Sequence, residues 1–249
     1  MLRRSLIIAA VALTALPAFA AQEKPLVLLA GATGKNGSVI LEQLQTNPDF
    51  RVRAMTRDAA AATAKFGNKV EWIEADVTKP ETLGPALKGV TYVISAVAAS
   101  NKDEANFPVK VDLEGTRNLA AAAKAVKVKR FVIITSSVSG QVDNPMNKRG
   151  NDVIIYKGKA EEALIDSGVP YTIVGPAGMN NNPGGVKSIQ LIPRSEYKSG
   201  AAITRADTAT VAIAALTHPD AANKAFSVQN GDGPGTAMKD VKFAGLPAK

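Results

Sequence analysis

The chain has no cysteine, so it can form no disulfide, offers no thiol nucleophile and has no thiolate for a metal. Its one histidine, His218, stands alone, which excludes a histidine-based metal site and leaves a Ser-His-Asp triad without support. Aromatic residues are few, at 5%. The basic residues are scattered, with only Lys124, Lys127, Lys129 and Arg130 loosely grouped. That pattern argues against a nucleic-acid surface despite the formal charge of +8. Internal repeats and low-complexity tracts are also missing. No apolar run is long enough to cross a membrane comfortably; the longest, Leu6 to Leu16, falls short.

That short run has another reading. Met1-Leu2-Arg3-Arg4-Ser5 is basic, Leu6 to Leu16 is almost wholly apolar, and Ala18-Phe19-Ala20 is a small-residue cleavage pattern. Residues 1–20 therefore read as a secretory signal peptide, with the bacterial periplasm as the expected location. Arg3-Arg4 also loosely fits a twin-arginine signal, the alternative being an ordinary basic leader. Removing the two leader arginines takes the formal +8 to +6 for residues 21–249, a mildly basic surface. That remainder has the length of one large α/β domain.

The centre of that domain is Gly31-Ala32-Thr33-Gly34-Lys35-Asn36-Gly37. The apolar run Pro25 to Ala30 precedes it, as a buried parallel strand would, and Val39, Ile40 and Leu44 follow at helical spacing. Glycines on a strand-to-helix turn permit a tight bend, let the backbone approach a pyrophosphate and let the helix pack close to the strand. The amides of the helix start then face the phosphates. Gly34-Lys35 is followed by Asn36 rather than Ser or Thr, which excludes the phosphate loop of ATPases. Dinucleotide binding is the reading that remains.

Strand and helix patterns alternate to the end of the chain, which predicts a doubly wound parallel sheet in a single domain. Strands are expected at 52–56, 70–74, 91–95, 130–135, 169–174 and 225–228. Helices are expected at 59–65, 80–87, 109–126 and 153–166, with a last helix capped by Asp207 and running to Leu216. Gln141 to Asn151 reads as a loop. Ligands of such sheets lie at the carboxyl ends of the strands, where the glycine turn, Arg57, Asp76, Ser95, Ser136 and Pro176 fall.

Arg57 ends the second strand, where an arginine suits a 2′-phosphate and a carboxylate suits ribose hydroxyls. With Lys35 as a second charge, it favours NADP over NAD; the alternative is a solvated Arg57 with Asp58 reaching the ribose, which would give NAD. Asp76-Val77, after the third strand, sits where adenine contacts are made, although a plain turn reads equally well. Lys157 shares a helix face with Ala160 and Leu164 and is turned toward the sheet edge, either for ribose hydroxyls or as a snorkelling side chain beside Glu161.

Taken together, these motifs resemble the atypical short-chain dehydrogenase/reductases, on the NmrA-like, NAD(P)-binding branch that includes plant chloroplast NADP-binding proteins. The matches include 31–37, 52–58, Ala75-Asp76-Val77, 128–132, Asn144-Pro145-Met146-Asn147, 156–161, 167–174 and Thr204-Arg205-Ala206-Asp207. The resemblance implies a one-domain Rossmann-type fold that holds NADP through Gly31, Thr33, Gly34, Lys35, Asn36, Gly37, Arg57, Asp76 and Val77. It adds contacts near Ser95-Ala96 and at Pro176, and places Ser136 or Ser137 and Lys157 in the catalytic positions. It also exposes two departures. Where active members carry the tyrosine of Tyr-x-x-x-Lys, this chain has Val153, and Tyr156 lies about 100° away around the helix. Gly175 stands where an arginine usually precedes the proline.

The leading functional expectation is an oxidoreductase passing hydride to a small carbonyl or quinone. A quinone can draw its proton from water. The alternative is a non-catalytic NADP(H)-binding module that senses redox state or docks to a partner. Nucleotide-sugar epimerisation is disfavoured, because little chain remains after the sixth strand for a substrate domain. The sequence leaves the substrate and the oligomeric state open.

Overall fold

The computed structural model describes residues 23–100 and 102–248. The predicted signal peptide and the Arg3-Arg4 pair lie outside them. The first half repeats strand and helix: β1 (Leu26–Ala30), α1 (Lys35–Thr46), β2 (Arg51–Thr56), α2 (Ala59–Phe66), β3 (Glu71–Glu74), α3 (Leu83–Leu87), β4 (Tyr92–Ser95), α4 (Gly115–Ala125) and β5 (Arg130–Ile134). The second half holds α5 (Pro145–Arg149), α6 (Val153–Asp166), β6 (Tyr171–Pro176), β7 (Gly178–Asn180), β8 (Lys187–Pro193), β9 (Ala202–Thr204), α7 (Arg205–Ala214) and β10 (Lys224–Pro234).

Eight strands form one sheet in the order β3-β2-β1-β4-β5-β6-β10-β8. All its pairings are parallel except β10 with β8, which is antiparallel. Strand β1 is buried at every position and feeds both faces. Val27 and Leu29 pack with Ile40, Leu41 and Leu44 of α1 and with α7. Leu26, Leu28 and Ala30 pack on the opposite face with Leu83, Leu119 and Leu164. A strand apolar on both faces is what crossover helices on both sides of a sheet require. The order reverses between β1 and β4, which opens a crevice at their carboxyl ends.

The doubly wound single domain is as predicted; several local expectations change. Gln141 to Asn151 contains the short helix α5, because Asn144 Oδ1 accepts from Met146 N at 3.1 Å and Pro145 occupies the first turn. The cap of α7 is Thr204, whose hydroxyl accepts from Asp207 N at 2.9 Å. Asp207 itself is buried and accepts from Gly185 N and from Asn230 Nδ2, both at 2.8 Å. The helix expected from Val109 begins with six residues of wider π-helical winding, Val109–Glu114, before α4. Strands β7, β8 and β9 were not expected; β7 and β9 pair separately from the main sheet.

Candidate functional site

Gly31 has φ of +78°, a left-handed conformation that glycine adopts without strain. A Cβ there would lie 2.8 Å from the Ala96 carbonyl carbon, so the turn presses against the end of β4. A Cβ at Gly37 would lie 2.0 Å from the Gly31 carbonyl oxygen, which holds α1 tight on the turn. Gly34 caps α1 without a side chain, and the first helical bond runs from Ser38 N to Gly34 O at 2.9 Å. The amides of Lys35, Asn36 and Gly37 therefore precede the helical ladder and are available to an anion. Asn36 Oδ1 is buried and has no hydrogen-bond partner among the described residues.

The turn opens onto a cleft of about 740 Å³ at the carboxyl ends of β1, β2, β3 and β4. Gly31, Thr33, Gly34, Lys35, Asn36, Arg57, Asp76, Val77 and Ala96 line it. Its lining holds four cations, Lys35, Arg57, Lys102 and Arg205, against one carboxylate, Asp76. None of the four joins an ion pair among the described residues. Such a cleft is built for a polyanion.

Arg57 is exposed, and its Nη1 donates to Asn106 Oδ1 at 2.8 Å. Asn106 Nδ2 in turn donates to Asp103 Oδ1 at 2.7 Å. Asp58 Oδ1 caps α2 by accepting from Ala61 N at 2.8 Å. Asp76 Oδ1 accepts from Thr78 N at 2.9 Å and from Thr78 Oγ1 at 2.8 Å, so it shapes its own turn at the cleft wall. Ser95 is buried at the end of β4, and the adjoining cleft surface comes from Ala96 to Ser100.

Ser136, Ser137 and Pro176 lie at the ends of β5 and β6, outside that lining, as do Lys157 on α6 and Gly37 on α1. Ser137 is buried, its amide donating to Pro176 O at 3.0 Å. The Ser136 amide donates to Ser139 Oγ at 3.1 Å. Lys157 does not pair with Glu161. Its Nζ is 2.6 Å from Oδ1 of Asp112, whose side chain is 3% exposed and lies on the π-helical turn. Asp112 Oδ2 accepts from Ala99 N at 3.1 Å, which ties the pair to the cleft wall. A lysine has three donors, so this bond leaves donors for a ribose.

Glu161 is held instead by Arg194 Nη2 at 2.7 Å and by the Thr135 hydroxyl at 2.6 Å. Arg194 Nη1 also donates to Ser136 O. A Cβ on Gly175 would meet Arg194 Cζ at 2.6 Å. The guanidinium missing from β6 is thus supplied beside the same spot from the turn after β8. Among the described residues no tyrosine lines the cleft. Tyr171 sits at the amino end of β6, where burial pushes its hydroxyl above the usual tyrosine range. Three relevant residues escaped the sequence reading as site groups. Lys102 and Asp112 carry no local motif, and Arg205 was visible only as part of a helix-start pattern.

An NAD(P)H-binding family model matches residues 31–219. Sanguinarine reductase of Eschscholzia californica is 32% identical, over 88% of this chain and 94% of its own. Protein TIC 62, chloroplastic, of Pisum sativum is 38% identical over 62% of this chain, a third (33%) of its own length. A candidate NAD-dependent epimerase/dehydratase structure from Bacillus halodurans superposes with a TM-score of 0.71 at 26% identity, covering 84% of this chain and 96% of its own. One expectation falls here. An uncharacterised protein of Arabidopsis thaliana, 29% identical over 90% of this chain and 75% of its own, and the pea protein are both named as chloroplastic. The bacterial periplasmic location read from residues 1–20 is withdrawn on that finding. Matched across most of its length and aligned along nearly the whole of a reductase, the chain belongs to the NAD(P)H-binding family, on the atypical short-chain dehydrogenase/reductase branch that its motifs resemble.

Proposed function

We propose that this protein is an NADP(H)-dependent oxidoreductase that passes hydride to a small carbonyl or quinone. The observation that carries the proposal is the excess of unpaired cations in the cleft, with Arg57 beside the end of β2. The residues fit a dinucleotide. The turn at Gly31 and Gly37 leaves no room for side chains, three amides stand free of the helical ladder, and Asn36 Oδ1 is an orphaned acceptor in the same place. One oxygen of Asp58, the group that would favour NAD, is used in capping α2, and Arg57 and Lys102 supply charges for a 2′-phosphate. The relative named sanguinarine reductase supports the reductive direction.

The nicotinamide supplies the hydride when bound. This chain's residues do the rest. The glycine turn grips the diphosphate, and Ala96 to Ser100 wall the cleft. Lys157, anchored by Asp112, holds ribose hydroxyls, and Ser136 or Ser137 orients the acceptor oxygen. Val153 provides no proton. Acceptors that take their proton from water are therefore favoured, quinones above aldehydes. The same valine favours the second reading, a module that binds the coenzyme without turning it over.

Steady-state NADPH oxidation against matched quinones and aldehydes separates the two. Turnover of quinones well above aldehydes supports the oxidoreductase. Tight coenzyme binding with no turnover of either class overturns it in favour of the module.

A further inference from the structure

We propose that Arg205 is a second anchor for the coenzyme diphosphate, lining the cleft from the start of α7 beside the glycine turn; this rests on the coenzyme reading above. Arg205 is the first residue of α7, and it lines the cleft together with Gly34, Lys35 and Asn36. Its Nη1 donates to Asn181 Oδ1 at 2.7 Å, which fixes the planar fork. Its Nε is shielded from solvent and has no partner among the described residues, and no carboxylate there pairs with the guanidinium.

A buried, unsatisfied guanidinium N–H is costly unless a ligand takes it up. A second orphan in the cleft lining, Asn36 Oδ1, is an acceptor. A dinucleotide offers both complements: phosphate oxygens to accept from Arg205 and ribose hydroxyls to donate to Asn36. The fork is also placed by rigid packing. Gln43 of α1 donates to Ala206 O at 2.9 Å and accepts from the Thr210 hydroxyl at 3.3 Å, so the start of α7 is fastened to the helix that carries the glycine turn. Arg57 and Arg205 thus divide the work. Arg57 serves the 2′-phosphate that only NADP carries, whereas Arg205 serves the diphosphate common to both coenzymes.

Calorimetric titration of the full chain with NADPH, NADH and 2′-AMP tests this division. Arg205→Met is expected to weaken both coenzymes by the same factor, about 10- to 100-fold, the range of a charge-assisted hydrogen bond. It should leave 2′-AMP, which has a 2′-phosphate and no diphosphate, within about two-fold. Asn181→Ala, which frees the fork but keeps the charge, should weaken both coenzymes to a smaller and equal extent. It decides alone if Arg205→Met does not fold. Unchanged coenzyme affinity in the folded variant overturns the proposal, as does an equal loss for 2′-AMP. Failure of the wild type to bind either coenzyme removes the underlying reading instead, and is distinguished because no substitution is involved.

Discussion

Replacing Gly37 by alanine adds one methyl group, and general helix energetics would favour the change. In a helix interior alanine is better than glycine by about 1 kcal/mol. Here the new Cβ would lie 2.0 Å from the Gly31 carbonyl oxygen, 2.7 Å from the Gly31 carbonyl carbon and 2.9 Å from Ala32 Cα, all backbone atoms. An ordinary carbon-to-oxygen contact needs about 3.3 Å, so α1 must withdraw from the turn by roughly 1.3 Å. No side-chain rotation can relieve that. The outcome reverses sign: overpacking of this kind costs about 1–3 kcal/mol. The same withdrawal moves the amides of Lys35 and Asn36, so coenzyme affinity falls with stability. Gly84→Ala is the control, since a Cβ there meets nothing within 4 Å. It should shift stability by less than about 1 kcal/mol, because the helix-propensity gain is opposed by the restriction that Pro85 places on the residue before it. Urea unfolding of both variants, with NADPH titration, makes the comparison. A Gly37→Ala protein as stable as the wild type and normal in coenzyme binding would refute the account of the turn.

Arg57→Ala should weaken NADPH by about 10- to 100-fold, with NADH nearly unchanged, as read by quenching of Trp72 or by calorimetry; an unchanged preference removes Arg57 from the site. Asp112→Ala leaves Lys157 without its carboxylate and should cost about 3–5 kcal/mol in denaturant unfolding, the usual result of breaking a buried pair. A loss below 1 kcal/mol would mean that the pair is solvated in practice. Arg194→Met removes the charge partner of the Glu161 carboxylate, whose side chain is 3% exposed, and should cost a similar amount. Glu161→Gln in the same background should recover part of it, and no recovery would contradict the assigned pairing.

The sequence made β1, the glycine turn and α1 legible because the pattern is local: an apolar run, three spaced glycines, then helical periodicity. Most strands of the sheet were visible for the same reason, as short apolar segments between turn residues. Strand β8 was not, being half-exposed, on the sheet edge, ending in Pro193 and paired only with distant β10. The site shows the same division. Arg57 and Asp76 follow from their places after strands, and both line the cleft. Lys157 was correctly placed on the inner face of its helix, but its partner Asp112 lies 45 residues away on a winding that no local periodicity announces. Thr204 took the cap of α7 because its hydroxyl reaches Asp207 N, while Asp207 was drawn inward by Gly185 and Asn230. The substitution of Arg194 for the arginine missing at Gly175 is a tertiary fact, invisible until the turn after β8 is folded against β6.

If an uncapped glycine turn and a cation-rich cleft hold a nicotinamide dinucleotide, the purified protein binds it in solution. Calorimetric titration of the purified protein with NADPH and NADH tests it most directly. Saturable one-to-one binding of both, tighter for NADPH, is expected; no heat of association with either coenzyme up to about millimolar concentration, some −4 kcal/mol of binding free energy, would overturn the assignment.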